Sequence, residues 1–454
     1  MFTRISRPRS YAPGPSGYPL LGNLPQFQRD ALGFMLRMVQ QHGDVVQLKL
    51  GPETLFLLGH PEHVRAVFLD RDATFSKGGR WETLKMLLGD GMLTSEGEAW
   101  KRKRRLVEPA FHRSQLSQLT RMMSRTTEAM ITAWGEHADD GQPLDVCPWM
   151  MELALEIVVR ALFSGDVTSD VQTISDAFMI AQRYISRITW DPVARLRSHL
   201  PSRRRRRFEE AVAQLDAIVL RLLNERRHSE PREDLLQMIL DAGHGDEDRP
   251  LSPRELRDEV LTLMIAGHET TANALAWTWH LLSTWPDAAR AIRDEVRDVL
   301  GDRRDVEFED LQKLSWTRNV IQEVMRLYPP LWFIPRSVER DTRLGGVHMP
   351  RGAMVLVSPY VLHLDPRFWD NPAGFDPSRF NERPQPYTYL PFGMGSRTCL
   401  GRNFALMEMT LIVAMVVRAF DVARVPGHPV RPMTMLTLRP RYGIRVQLSR
   451  PASP

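Results

Sequence analysis

Pro391-Phe392-Gly393-Met394-Gly395-Ser396-Arg397-Thr398-Cys399-Leu400-Gly401 sets one cysteine in a glycine-punctuated loop. A helical pattern follows from Arg402 to Phe420, with Phe404, Leu406, Met407, Leu411, Ile412 and Met415 on an apolar face. A cysteine at a helix start meets free backbone N–H groups and the positive end of the helix dipole, and both favour thiolate over thiol. Gly393, Gly395 and Gly401 carry no side chains, so a large flat group can lie close to the backbone here. Arg397, two residues before the sulfur, is placed to pair with an anionic group on such a ligand. Taken alone, the loop also suits a buried structural cysteine.

The surrounding residues decide between the two. Phe392-x-x-Gly395-x-Arg397-x-Cys399-x-Gly401 resembles the haem-binding signature of the cytochrome P450 family at every defined position. The resemblance implies that Cys399 is the axial thiolate on the iron of haem b, iron protoporphyrin IX, with Phe392, Gly393, Arg397 and Gly401 around it.

The chain has 454 residues and 43% hydrophobic content, enough for a sizeable core. Two cysteines, Cys147 and Cys399, exclude a disulfide framework. The formal charge is +5, and the run Arg203 to Arg207 meets counter-charge at Glu209 and Glu210, which suits a solvated helix start better than a site for nucleic acid or an anionic membrane. No apolar stretch in residues 1–30 is long enough for a signal peptide or a membrane anchor, so the expectation is a cytoplasmic monomer. Residues 1–30 read as a proline-rich lead-in and residues 31–454 as one catalytic domain, mainly α with a small β region.

Ala31 to Gln41 and Pro61 to Leu69 read as short helices, and Val45 to Leu50 with Thr54 to Leu58 as a strand pair. Phe75 to Leu93 is glycine-interrupted and reads as a surface loop with buried anchors. Helical patterns then succeed one another to Ala242, and Gly243 to Asp248 reads as an acidic linker. The longest helical segment runs from Ser252 to Thr284, with a capping box from Ser252 and Glu255 and a stop at Pro286. Its middle should be buried, yet it holds Ala266-Gly267-His268-Glu269-Thr270-Thr271, and a carboxylate in a core needs a task or a partner. Either Thr270 bonds back and bends the helix, or Gly267 makes room for a small ligand while Glu269 and Thr270 handle protons. His268 reads as a packing residue.

Further motifs extend the resemblance over roughly Pro13 to Val446. Ala266-Gly-x-Glu269-Thr270-Thr is similar to the family's distal helix motif, which implies that Glu269 and Thr270 are the catalytic proton-handling pair for O2 and that Ala266 borders the haem. Trp100-x-x-x-Arg104 resembles a propionate-binding pair, and Arg336 matches the position that reaches the second propionate. Glu323-x-x-Arg326 with Arg379 resembles the structural triad, although Ser378 stands where the family often has Glu. The remaining basic residues of Lys101 to Arg105 should face outward. The substrate cavity is implied at Trp81, Leu84, Leu88, Ile265, Trp332, Phe333, Ile334 and Leu436, all uncharged, which suits a lipophilic substrate: a terpenoid, fatty acid, steroid or polyketide. The implied activity is a monooxygenase that hydroxylates or epoxidises this substrate, with electrons from a separate ferredoxin or flavodoxin and its reductase. A haem-thiolate peroxygenase or isomerase is one rival, and a non-catalytic haem sensor is another.

Overall fold

The computed structural model describes residues 12–70, 72–164, 168–228, 230–242, 249–303 and 305–451. The expected acidic linker at Gly243 to Asp248 and the first residues of the lead-in lie outside these. The fold is mainly helical with small sheets, as the sequence implies, and the chain groups into two compact units.

The first unit takes the residues up to Glu82, Leu331–Gly374 and Pro384–Thr398. Its five-stranded sheet places Val45–Leu50 beside Glu53–Leu58, then Met354–Val357, Ile334–Val338 and Phe75–Ser76. The first two strands are antiparallel, joined at Gly51, whose φ of +63° suits a residue without a Cβ. Glu53–Leu58 pairs in parallel with Met354–Val357, which lies some three hundred residues later in the chain. The apolar face of this sheet is closed by Val64, Val67 and Phe68 from the helix Pro61–Phe68.

The second unit holds the rest, including every long helix. The longest, Pro253–Thr284, starts at the expected capping box: Ser252 Oγ accepts from Glu255 N–H while the Glu255 carboxylate accepts from Ser252 N–H. Its main neighbour is the helix Val146–Phe163, and Gly267 is why the two approach closely: a Cβ there would come within 2.9 Å of Val158 Cγ2. The expectation that Gly267 makes room for a small ligand is therefore corrected; it makes room for a neighbouring helix. The helix Arg402–Ala419 buries Phe404, Met407, Met409, Leu411 and Ile412.

Two longer helices add to the sequence reading. Gly79–Leu88 replaces part of the expected loop from Phe75 to Leu93, and Pro286–Leu300 packs Ala288, Ile292, Val296 and Leu300 inward.

Candidate active site

Cys399 follows a short 3-10 turn, Gly395–Arg397, and precedes Gly401, the N-cap of Arg402–Ala419. Gly395 has φ +69° and a Cβ there would strike the Phe68 carbonyl at 2.4 Å, so this glycine serves packing. Gly393 and Gly401 do leave open space: at Gly401 no atom stands within 4 Å of a would-be Cβ. The Cys399 side chain is exposed and lines a cavity of about 360 Å³ with Arg104, Glu108, Phe111, His112 and Arg402.

Although open to that cavity, the thiol sits deep enough among protein atoms that burial pushes its pKa up. The Gly401 N–H and the charges of Arg104 and Arg402 pull the other way without overcoming burial. The thiolate preference expected from the helix start is thus not reached by the protein's own dipoles. Cys147, by contrast, is pushed far above the thiol range by burial and by Asp145.

Arg104 and Trp100 lie four apart on the helix Gly97–Val107, both half-buried, and Arg104 donates to Glu108 at 2.9 Å. The other basic residues of this helix do not all face outward. Lys103 is buried; its ammonium donates to the Asp90 carbonyl and lies 3.8 Å from the buried Glu259. Arg102 pairs with Glu255 at 2.8 Å. Only Lys101 and Arg105 are exposed. Two basic residues turn inward because the long helix offers Glu255 and Glu259 one turn apart, a partner more than 150 residues away in sequence.

The long helix has one uncovered strip. Ala266 is exposed, and Ile265, Gly267 and Thr270 are half-buried, whereas Thr271 to Trp279 are buried without a break. Thr270 Oγ1 donates to the Ala266 carbonyl at 2.8 Å, the back-bond that its place in a helix allows. Glu269 lies off this strip. It is buried, and its Oε1 accepts from Thr437 Oγ1 at 2.6 Å and from the Gln182 amide. Burial raises its pKa, and the two hydrogen bonds only partly offset that. His268 is buried against Phe178, with ring centroids 4.9 Å apart, and burial lowers its pKa to about 4, so it is a neutral packing residue.

Glu323, Arg326 and Arg379 meet in the interior of the second unit. Both Glu323 oxygens accept from Arg326 at 2.7 Å, Arg379 Nε lies 3.5 Å away, and Asp376 N–H donates to the same carboxylate. In the first unit, Arg336 is buried with its guanidinium over the Phe68 ring, while Phe392 and Arg397 are half-buried.

The expected cavity residues divide. Trp332, Phe333, Ile334 and Leu88 are buried; Trp332 packs between Phe27 and Phe333 and accepts from Ser358 through its carbonyl. Ile334 belongs to the core cluster of the five-stranded sheet. Trp81, Leu84, Ile265 and Leu436 are half-buried and retain free surface. Residues that sequence reasoning missed are Gln182, Thr437 and Asn273, which partner Glu269 directly or through Thr437.

An open, unhindered cysteine sulfur, cationic side chains beside it, a glycine with empty space at its Cβ and an uncovered apolar strip are the donor set and cradle that a haem requires. The family model for cytochrome P450 matches residues 12–448. The chain belongs to the cytochrome P450 family, and it is a monooxygenase of that family. It is 37% identical to cyclooctatin synthase of Streptomyces melanosporofaciens, over 93% of this chain and 92% of that protein. It is 36% identical to cyclooctat-9-en-7-ol 5-monooxygenase of the same organism, over 93% and 91%. Among solved structures, retinoic acid bound cyanobacterial CYP120A1 superposes with a TM-score of 0.86 at 27% identity, covering 98% of this chain and 100% of that one.

Proposed function

We propose that this chain inserts one oxygen atom from O2 into a cyclic terpenoid, using haem b held by Cys399. Haem held at Cys399 would supply dioxygen activation there. The observation that carries the reading is the uncovered strip on the long helix, in a chain whose exposed thiol stands in an open cavity. Trp100, Arg104, Arg336 and Arg397 would hold its propionates, and Phe392, Gly393, Gly401 and Ala266 would border its ring. Thr270, on the strip, is the group that passes a proton to the reacting oxygen. Glu269 is the proton reserve: it stays protonated while burial dominates, and it delivers only by leaving Thr437 and Gln182.

Trp81, Leu84, Ile265 and Leu436 give the substrate uncharged surface. The relatives' substrates support a terpenoid: a carbocyclic alcohol for one, retinoic acid in the bound structure for another. Electrons come from an acidic ferredoxin or flavodoxin that docks at exposed Lys101, Arg105 and Arg402.

The test is the reduced, carbon monoxide-bound absorption spectrum, followed by a screen of cyclic terpenoids for a spin-state shift. Cys399→Ser should abolish the thiolate-type band and all turnover with O2 and donor proteins. A band and product yield unchanged in this variant, or turnover sustained by peroxide alone in the parent protein, would overturn the proposal.

A further inference from the structure

Glu269 is held by two segments that also hold each other. Thr437 Oγ1 and the Gln182 amide both donate to one carboxyl oxygen, Oε1, the first at 2.6 Å. Arg439 donates to Gln182 Oε1 at 3.4 Å, which turns the NH2 end of that amide towards Glu269. Asn273 Nδ2 donates to Thr437 Oγ1 at 3.1 Å, so the hydroxyl keeps its own proton for the carboxyl. Glu269, Gln182, Thr437 and Asn273 are all buried, where a polar group needs such partners.

Thr437 lies on a turn with unequal footing. Pro432–Thr434 and Leu438–Pro440 form a two-stranded sheet joined through Met435, Leu436 and Thr437. Leu438 is fixed twice: its N–H donates to the Pro330 carbonyl at 2.8 Å, and its carbonyl accepts from the Trp277 indole at 3.1 Å. At the tip, the half-buried Leu436 donates its N–H to Ser186 Oγ at 3.1 Å. Ser186 stands one turn beyond Gln182 on the helix Thr168–Trp190. One face of that helix therefore holds both the tip of the turn and the carboxyl of Glu269.

We infer that Leu436 and Thr437 are positioning residues that couple substrate contact to release of Glu269, an inference that rests on the reading of Leu436 as substrate surface. Adjacent positions of one turn carry the apolar side chain and the hydroxyl. A cyclic terpenoid pressing on Leu436 displaces the tip from Ser186, the turn pivots about the anchored Leu438, and Thr437 Oγ1 leaves Glu269. The carboxyl then rotates from its buried side of the long helix towards the neighbouring Thr270 on the uncovered strip. A ligand shifts such an equilibrium only through its differential affinity for the two positions of the turn, and Leu436 is where that difference arises. A network that merely packs the core would hold Glu269 unchanged whatever happens at the Leu436 N–H.

The experiment is infrared difference spectroscopy of the ferric, full-length holoprotein. It reads the carbonyl stretch of the neutral Glu269 carboxyl, which burial favours, assigned by its loss in Glu269→Gln. A hydrogen bond to Oε1 lowers this stretch, so Thr437→Val should move the band to higher wavenumber while Thr437→Ser leaves it in place. Ser186 makes no bond to Glu269 among the described residues, yet Ser186→Ala frees the tip and should move the band in the same direction. Sclareol, a bicyclic diterpene alcohol, added to the parent until its spin-state shift saturates, should do likewise. Each variant should keep the parent's carbon monoxide band, which reports an intact fold. An unmoved band in Thr437→Val or in Ser186→Ala overturns the inference, as does a saturated spin-state shift with the band in place. No spin-state shift with sclareol or any other screened terpenoid counts instead against the substrate reading, and Ser186→Ala then decides the coupling.

Discussion

Glu408 lies in the interior of the second unit, on the helix Arg402–Ala419, and neither of its carboxylate oxygens has a hydrogen-bond partner among the described residues. Burial alone holds its pKa well above the ordinary carboxylate range. The native state therefore keeps a proton that the unfolded chain gives up near pH 4.5. The associated stability is complete below that value and is lost as pH rises towards the folded pKa. Glu408→Gln removes the titration while keeping the shape, so its melting temperature should gain on the parent's as pH rises above about 4.5. Parallel melting curves over that range would show that the parent's Glu408 is solvated or paired. The triad gives the opposite case. Glu323→Ala strands the buried Arg326 charge and should cost about 3–5 kcal/mol in denaturant unfolding.

Two turns of the long helix carry a strap. Asp258 accepts from Asp90 N–H at 2.9 Å, Glu259 accepts from Met92 N–H at 3.0 Å, and Lys103 bridges Asp90 and Glu259. Gly89 and Gly91 let the strand-like segment lie this close, since a Cβ at either would strike Asp258 or Thr262. Burial raises the Glu259 pKa to about 7 against the pull of Met92 N–H and Lys103. Stability stored in its proton is full below about pH 4.5 and disappears by about pH 7, a span of about 3 kcal/mol. The parent's unfolding free energy should descend across that window relative to Glu259→Gln, measured by denaturant titration at each pH. At the neighbouring contact, Gly267→Ala gains about 1 kcal/mol of helix propensity but meets Val158. Its net effect should be destabilising by about 1 kcal/mol or more, and Val158→Ala should restore part of it in the double variant.

These elements also mark what the sequence could carry. Ser252, Glu255 and Pro286 announce both ends of the long helix, because caps and stops are local chemistry. Cys399 and its glycines announce the loop for the same reason. The helix Pro286–Leu300 was equally legible from Ala288, Ile292, Val296 and Leu300, had the spacing been followed past the proline. Gly79–Leu88 was not, since it has no consistent apolar face and begins at a glycine. The inward turn of Lys103, the packing role of Gly267 and the partners of Glu269 depend on which distant segment covers which face, and no local signal encodes that.

For the molecule as a whole, an overall charge of +5 hides an uneven distribution. Lys101, Arg105 and Arg402 are exposed, whereas Arg102 and Lys103 are consumed by Glu255 and Glu259. These three are the cations of the proposed docking face. Arg105→Glu with Arg402→Glu should slow the second-order reduction by an acidic ferredoxin about tenfold or more at low ionic strength, with the gap closing as salt is added. Stopped-flow reduction at several salt concentrations checks this, and unchanged rates would move the docking face elsewhere.

The contrast between the two cysteines has a practical side. Cys399 is exposed whereas Cys147 is half-buried with its pKa raised by burial and Asp145, so alkylation by a maleimide or an iodoacetamide should be faster at residue 399. Pigment occupancy of a preparation can then be titrated as protection from alkylation.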